Sequence, residues 1–352
     1  RILPLMNTRS IFLFLLVGLM ACGDDDTNPT PDAGSIDGGG ADTSTPDTGT
    51  TPLGDLTVVL EAEDTITEGI GTEGGDEIIL DGWSVDFDRY IVTIGDVDVH
   101  LSTDEEIEAE AGDVFVVDLT EVPASGLPLW TLDGLQAGRW EFNYSTPGAG
   151  DGSTRNDTVT EADYDQMVAE DWTYLIDATM SNDSGQSCPP AGLAVVGDAT
   201  PNGNMNSRGE ACYDAPTISF TWGVTAETGF GPCEIDEVTG FAIADGGSQT
   251  VAATIHGDHI FFNGFPEGEE GGVERYGQWV ADCDLNLDGE VTREELEQIA
   301  PSDLAEIDDR YAIGAPPIPL EEMWDYIIGQ LKTQGHFQGE GECPFDGMEH
   351  DH

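Results

Sequence analysis

Apolar and polar residues alternate along most of the middle of the chain. Trp83, Val85 and Phe87 alternate with Ser84, Asp86 and Asp88, the period-two pattern of a strand with one buried face. Tyr90–Ile94 and Val97–Leu101 continue in this manner, and Leu56–Ala62 reads as a first strand. Further strands are predicted at Val114–Leu119, Leu129–Leu132, Arg139–Tyr144, Thr173–Met180, Thr217–Val224, Gly240–Ile243 and Thr250–Phe262, with Gly, Pro, Asn and Asp filling the gaps. Many short strands separated by turn residues predict a mainly β fold, a β-sandwich or open barrel. One short helix is inserted. Thr160 and Asp163 make a capping-box-like start, and Tyr164, Met167 and Val168 then share a face that reads as core.

Towards the C-terminus the period lengthens. Val273–Ala281 and Thr292–Ala300 read as short helices. Leu320, Met323, Trp324, Ile327, Ile328 and Leu331 recur at helical spacing, predicting an amphipathic helix that ends near Gly335. Between the first two helices lies Asp284–Glu295, which fits the D-x-[DN]-x-[DN]-G-x5-E pattern. A frame started at Asp282 fails, because Leu287 would stand where glycine is needed. The stretch resembles the calcium loop of the EF-hand family. The resemblance implies Ca2+ held by Asp284, Asn286 and Asp288 side chains, the Glu290 carbonyl, Thr292 directly or through water, and both carboxylate oxygens of Glu295. No second loop fits the pattern, so the expectation is a structural staple and not a sensor that opens.

The N-terminal stretch has a different character. Met6 is expected to be the true start, with Arg1–Leu5 before it. The apolar run Ile11–Met20 is too short to span a bilayer and reads as an export signal. Leu19-Met20-Ala21-Cys22 resembles a bacterial lipobox. That resemblance implies cleavage after residue 21, lipidation of Cys22, and membrane attachment through this anchor. Gly23 after the cysteine points to the outer membrane or cell surface. Residues 22–52 are rich in Asp, Gly, Thr and Pro and are expected to form a disordered tether. The organisation expected beyond it is a β-sandwich domain at 53–266, a helical EF-hand region at 267–345, and a His/acidic tail at 346–352 that contains His350 and His352.

A second resemblance lies in the β body. Val92–Val99, Val117-Asp118-Leu119 and Leu135–Trp140 resemble a domain of unknown function in bacterial lipoproteins, which reads roughly VTI-x-x-V-x-V, VDL and L-x-A-G-x-aromatic. It covers about ninety residues. It implies a β-sandwich and no known catalysis.

Charge narrows the partners. Of 352 residues, 71 are acidic and 10 basic, a formal charge of −61. Such a field repels nucleic acid and anionic headgroups and favours cations. A protein or glycan partner stays open. With Cys22 set aside, five cysteines remain. In an exported protein they are expected to pair. Cys188 with Cys212 would close a Gly/Asn-rich excursion, and Cys233 with Cys343 would tie the C-terminal tail to the β body. Cys283 is left over.

Two groups that contain histidine are candidate cation sites. His256 and His259 close the last predicted strand, and His336 would have to reach them through the fold. Together they would suit Zn2+, Cu2+ or iron. On a strand, His259 would point away from His256 unless Gly257 carried a bulge. Asp96, Asp98 and His100 share one strand face and form a second patch. No nucleophile elbow, zinc-protease helix or phosphate loop is present in the sequence. The leading expectation is a lipid-anchored, non-catalytic calcium-binding protein of the envelope. The alternatives are a transition-metal binding or uptake accessory protein and a calcium-stabilised hydrolase.

Overall fold

The strand Ser84–Leu101 organises the molecule. It is long enough to serve two sets of partners because it bends. Register shifts at Phe87/Arg89 and Gly95/Asp98 break its ladders. At Gly95 a side chain would meet the Val114 backbone at 2.8 Å, so only glycine lets the strand turn there. Its first half pairs with Tyr174–Ser181 and Phe115–Asp118, and its second half with Asp104–Ala111 and Gly138–Thr146. Thr217–Val224 extends this nine-stranded sheet beyond Tyr174–Ser181.

The computed structural model describes residues 52–75, 77–265, 273–311, 313 and 316–345. The signal-like run, Cys22, nearly all of the tether and the 346–352 tail lie outside these residues. The described chain is mainly β, with 39% strand and 16% helix in several sheets. Among the described residues no helix is long and apolar enough to cross a membrane.

A second sheet has seven strands, in the order Val238–Thr239, Glu234–Ile235, Gly341–Glu342, Gly335–Phe337, Ser248–Ile255, Gly54–Ala62 and Leu127–Leu135. Gly54–Ala62 and Ser248–Ile255 run parallel. Two of the seven strands come from the C-terminal stretch, so that stretch is stitched into the β body. The cysteines pair as Cys188–Cys212 and Cys233–Cys343, and Cys283 is free and buried. Both pairings follow the expectation from the sequence. The second one joins the residues flanking the directly paired Glu234 and Glu342, and so locks that edge of the sheet.

The core is aromatic. Trp83, Trp140, Trp222 and Trp279 are fully buried, and truncating a side chain of this kind costs about 3–5 kcal/mol. Trp222 stacks on Phe220 and meets Trp324 edge-on. Its indole N–H donates to the Val291 carbonyl at 2.9 Å, which ties the acidic loop to the sheet. The inserted helix forms as predicted, over Glu161–Glu170, with Thr160 accepting from the Asp163 N–H. Met167 packs into a small cluster with Ile91, Val116 and Leu175, as a core face should.

The C-terminal helices are shorter than the sequence pattern suggests. They run Gln278–Asp282, Arg293–Leu296 and Met323–Leu331. The polar strand Asp104–Ala111 and the hairpin Gly335–Phe337/Gly341–Glu342 are not evident from periodicity. The first opens on three consecutive acids, Asp104–Glu106, and has only Ile107, Ala109 and Ala111 as apolar positions, and the second has too few residues to show a period.

Candidate metal centre

The last long strand ends at Ile255, not at Phe262. Gly257 takes a right-handed helical conformation, and Asp258–Phe261 form a 3-10 turn. A side chain at Gly257 would meet Ile66 at 2.5 Å, so the turn needs a glycine where it packs on the core. This corrects the expectation that His259 diverges from His256: a helical turn, not a bulge, brings both to the same side. Arg275 pairs with the fully buried Asp258 and lies 5.0 Å over the Phe262 ring. That pair pins the turn, since an unpartnered Asp258 would leave a buried charge uncompensated.

His336 comes from the other direction. The amphipathic helix Met323–Leu331 buries its apolar face and hands the chain through Thr333 and Gln334 into Gly335–Phe337. That strand pairs with Ser248–Ile255, with His336 opposite Thr254. The three histidines converge. One ligand-capable nitrogen from each of His256, His259 and His336 lies within 4.8 Å of the others, and all three residues are buried. The His256 and His336 rings stack at 3.9 Å, and His259 stands edge-on to both.

Each ring is oriented by a neighbour. Thr333 donates its hydroxyl proton to the Gln330 carbonyl, so its oxygen accepts from His259 Nδ1 at 2.8 Å. Nε2 of His259 then carries the lone pair. His256 Nε2 lies 3.2 Å from the Gly339 carbonyl, which can only accept, so Nδ1 is its ligand-competent nitrogen. His336 bonds to the Gly341 backbone, and burial, then the His256 and His259 rings, hold its pKa well below the usual imidazole range. It is therefore neutral and able to donate a lone pair at neutral pH. Backbone and side-chain acceptors of this kind fix tautomer and ring direction at metal-binding histidines. Nitrogens sharing a tetrahedral ion at 2.0–2.1 Å stand about 3.3 Å apart, and these three lie within 4.8 Å of one another.

Glu63 borders the same cluster. Its Oε1 is 3.3 Å from His256 Nδ1, and its Oε2 accepts from the Thr65 hydroxyl. Burial, then the Asp258 carboxylate, raise its pKa far above the ordinary carboxylate value. Glu63, His256 and Glu340 make a second set of three ligand-capable atoms within 4.8 Å of one another. Sequence reasoning missed both glutamates, because nothing distinguishes them among 71 acids. It also missed Thr333, whose role appears only once the helix has ended beside the turn.

The acidic loop is a separate place. Leu287 and Gly289 have positive φ, 60° and 86°, and Gly289 sits where the motif requires the sharp turn. Asp284 accepts from the N–H groups of Asp288 and Gly289. Asn286 accepts from the Asp288 N–H, and Asp288 from that of Glu290. Glu295 receives the N–H of Leu285 and Asn286 on one oxygen and the N–H and hydroxyl of Thr292 on the other. These oxygens face the loop backbone, and they do not form one of the close three-atom sets found among the described residues. Burial lifts Asp284 to about 6, and the adjacent fully buried Asp282 to about 8. Ser219 exchanges two backbone hydrogen bonds with the loop, to Gly289 and from Val291, both at 2.8 Å.

The strand patch stays dispersed. Asp98 pairs with His100 at 2.8 Å and accepts from Asn143, while Asp96, at φ 50° in the bulge, accepts from Ser145.

No protein-family model and no curated protein matches the chain. Among solved structures it is similar to MbnP from Methylosinus trichosporium, at 11% identity and a TM-score of 0.23, over 60% of this chain and 76% of that one. A likeness at that level carries no argument about what this chain does.

Proposed function

We propose that this protein is an extracytoplasmic transition-metal binding protein whose centre is His256, His259 and His336. The observation that carries this reading is the burial of three imidazoles from two distant stretches within ligand distance of one another, each with a partner fixing one ring nitrogen. Imidazole sets of this kind suit Zn2+, Cu2+ or iron. The ion would be bound by imidazole nitrogens, with Glu63 and Glu340 as carboxylates beside His256. Binding and not catalysis is the role we assign. Two disulfides fit an oxidising compartment. Attachment to the outer membrane or cell surface through Cys22, and a sandwich arrangement of the sheets, belong to the same proposal.

A second reading adds one structural Ca2+ at Asp284–Glu295. It is supported by the turn at Gly289 and by Ser219, which supplies the backbone pairing that a second calcium loop supplies in paired hands. On this reading the ion staples the C-terminal helices to the edge strand Thr217–Val224.

Elemental analysis of protein purified without chelator separates the two. The expected result is near-stoichiometric zinc, copper or iron that His336→Ala removes. Calcium alone, unchanged by His336→Ala, would contradict the histidine reading and leave the loop reading standing.

A further inference from the structure

Two hairpin turns stand above the histidine centre. Gln338–Glu340 join Gly335–Phe337 to Gly341–Glu342, and Asp236-Glu237 join Glu234–Ile235 to Val238–Thr239. Between them lies a cavity of about 850 Å³ lined by His336 and by five carboxylates, Glu234, Asp236, Glu237, Glu340 and Glu342. His336, 8% exposed, is the member of the three-histidine set that lines this cavity. Glu234 and Glu342 are directly paired across the two strands. Like charges opposite one another destabilise a sheet, yet the Cys233–Cys343 disulfide holds these two neighbours together. Glu340, exposed on the cavity wall, comes within 4.8 Å of Glu63 and His256, and His256 also belongs to the three-histidine set. The buried Glu63 Oε1 lies 3.3 Å from His256 Nδ1.

We propose that the carboxylate-lined cavity is the path by which a divalent transition-metal cation reaches the centre, and that Glu340, Glu63 and His256 form an outer binding station on it. The inference rests on the three-histidine reading. The acidic walls concentrate hydrated cations. Oxygen ligands and one imidazole take the ion first. Glu63 gives up its proton to solvent as the ion binds. The ion then moves inward by exchanging the oxygens of Glu340 and Glu63 for the nitrogens of His259 and His336, with His256 common to both sets, and Glu63 takes up a proton again. The ion keeps its charge throughout, and no electron is transferred.

Co2+ is a suitable probe, because nitrogen-rich tetrahedral and oxygen-rich octahedral sites differ strongly in visible absorption. Stopped-flow uptake would be followed in the full chain, in Glu340→Gln, in His259→Ala and in the double variant. Uptake by the unaltered protein should give the intense nitrogen-rich band at a rate that falls as salt rises. Glu340→Gln should slow that uptake by about tenfold or more. His259→Ala should trap the ion outside, giving a weak octahedral spectrum that the added Glu340→Gln abolishes. Uptake at the unaltered rate in Glu340→Gln, with the weak spectrum surviving in the double variant, overturns the access path alone. An unaltered protein that gives no nitrogen-rich band overturns the histidine centre and this path with it.

Discussion

The histidine centre and the acidic loop are built in opposite ways. The loop draws its oxygens from one run of twelve residues, Asp284–Glu295, with Asp284 and Glu295 buried and Asn286, Asp288 and Glu290 exposed. The centre draws imidazole nitrogens from His256, from His259 in the 3-10 turn that follows it, and from His336 on a strand. Its ligands are buried before any ion arrives. The loop's backbone N–H groups already occupy its carboxylates, so an ion there must compete with the turn's own hydrogen bonds. The centre's anchors, by contrast, bind the ring nitrogens that an ion would not use. One site therefore trades internal bonds for a cation, and the other is preorganised for one.

The largest effect expected from breaking this comparison lies at the loop. Glu295→Gln removes a charge from the residue that the motif makes bidentate. At calcium about 100 times the dissociation constant, linkage adds roughly 2.7 kcal/mol of stability. Melting curves of the unaltered protein should rise with Ca2+ and fall with a calcium-selective chelator, while the variant should respond to neither. Limited proteolysis should then cut within 292–331. Equal melting of both proteins with and without Ca2+ would remove the staple.

Next comes the orientation of His259. Thr333→Val deletes the acceptor that fixes its tautomer and should weaken transition-metal binding by about 10–100-fold, without changing the calcium response. Competition titration against a chromophoric chelator measures this. Unchanged affinity would show that the ring needs no support.

These two sites also mark how much was legible from the residues. A contiguous motif shows its spacing in the sequence, so Asp284, Gly289 and Glu295 stand out. The alternation of Trp83, Val85 and Phe87 likewise places the central strand, because burial on one face repeats every second residue. The convergence of His336 on His256 and His259 has no local period. It depends on where a helix ends and which strand edge the next segment joins, and both are tertiary. The orientation of His259 was misread from strand geometry because Gly257 leaves the strand conformation. Glu63 and Glu340 carry no signal at all in so acidic a chain.

The pH response should differ between the two regions. Asp282 is lifted to about 8 and Asp284 to about 6 by burial. Both values lie above those of the unfolded chain, so between about 4 and 8 the folded state binds more protons than the unfolded state and these groups lower stability as pH rises. His336 is depressed; below about 6.5 the unfolded state binds the extra proton, and its contribution to stability falls as pH falls. Between pH 6.5 and 8 the buried carboxyls of Asp282 and Glu63 both act in this direction, so metal-free protein should melt lower at pH 8 than at 6.5. Asp282→Asn should reduce that slope and leave the share that Glu63 supplies. A slope unchanged in the variant would place the titrating group elsewhere.

The smallest effect is expected at the dispersed patch. His100 is half-exposed and paired with Asp98, so His100→Ala should change stability by no more than about 0.5 kcal/mol and leave metal content untouched. A loss of bound metal in this variant would make the strand patch a third site.

X-ray absorption of the protein loaded with one equivalent of Cu2+ or Zn2+ tests the three-histidine centre most directly. The account predicts a shell dominated by nitrogen, with the outer scattering of three imidazole rings and one ring fewer in His259→Ala. An all-oxygen shell, or a spectrum identical in that variant, would contradict it.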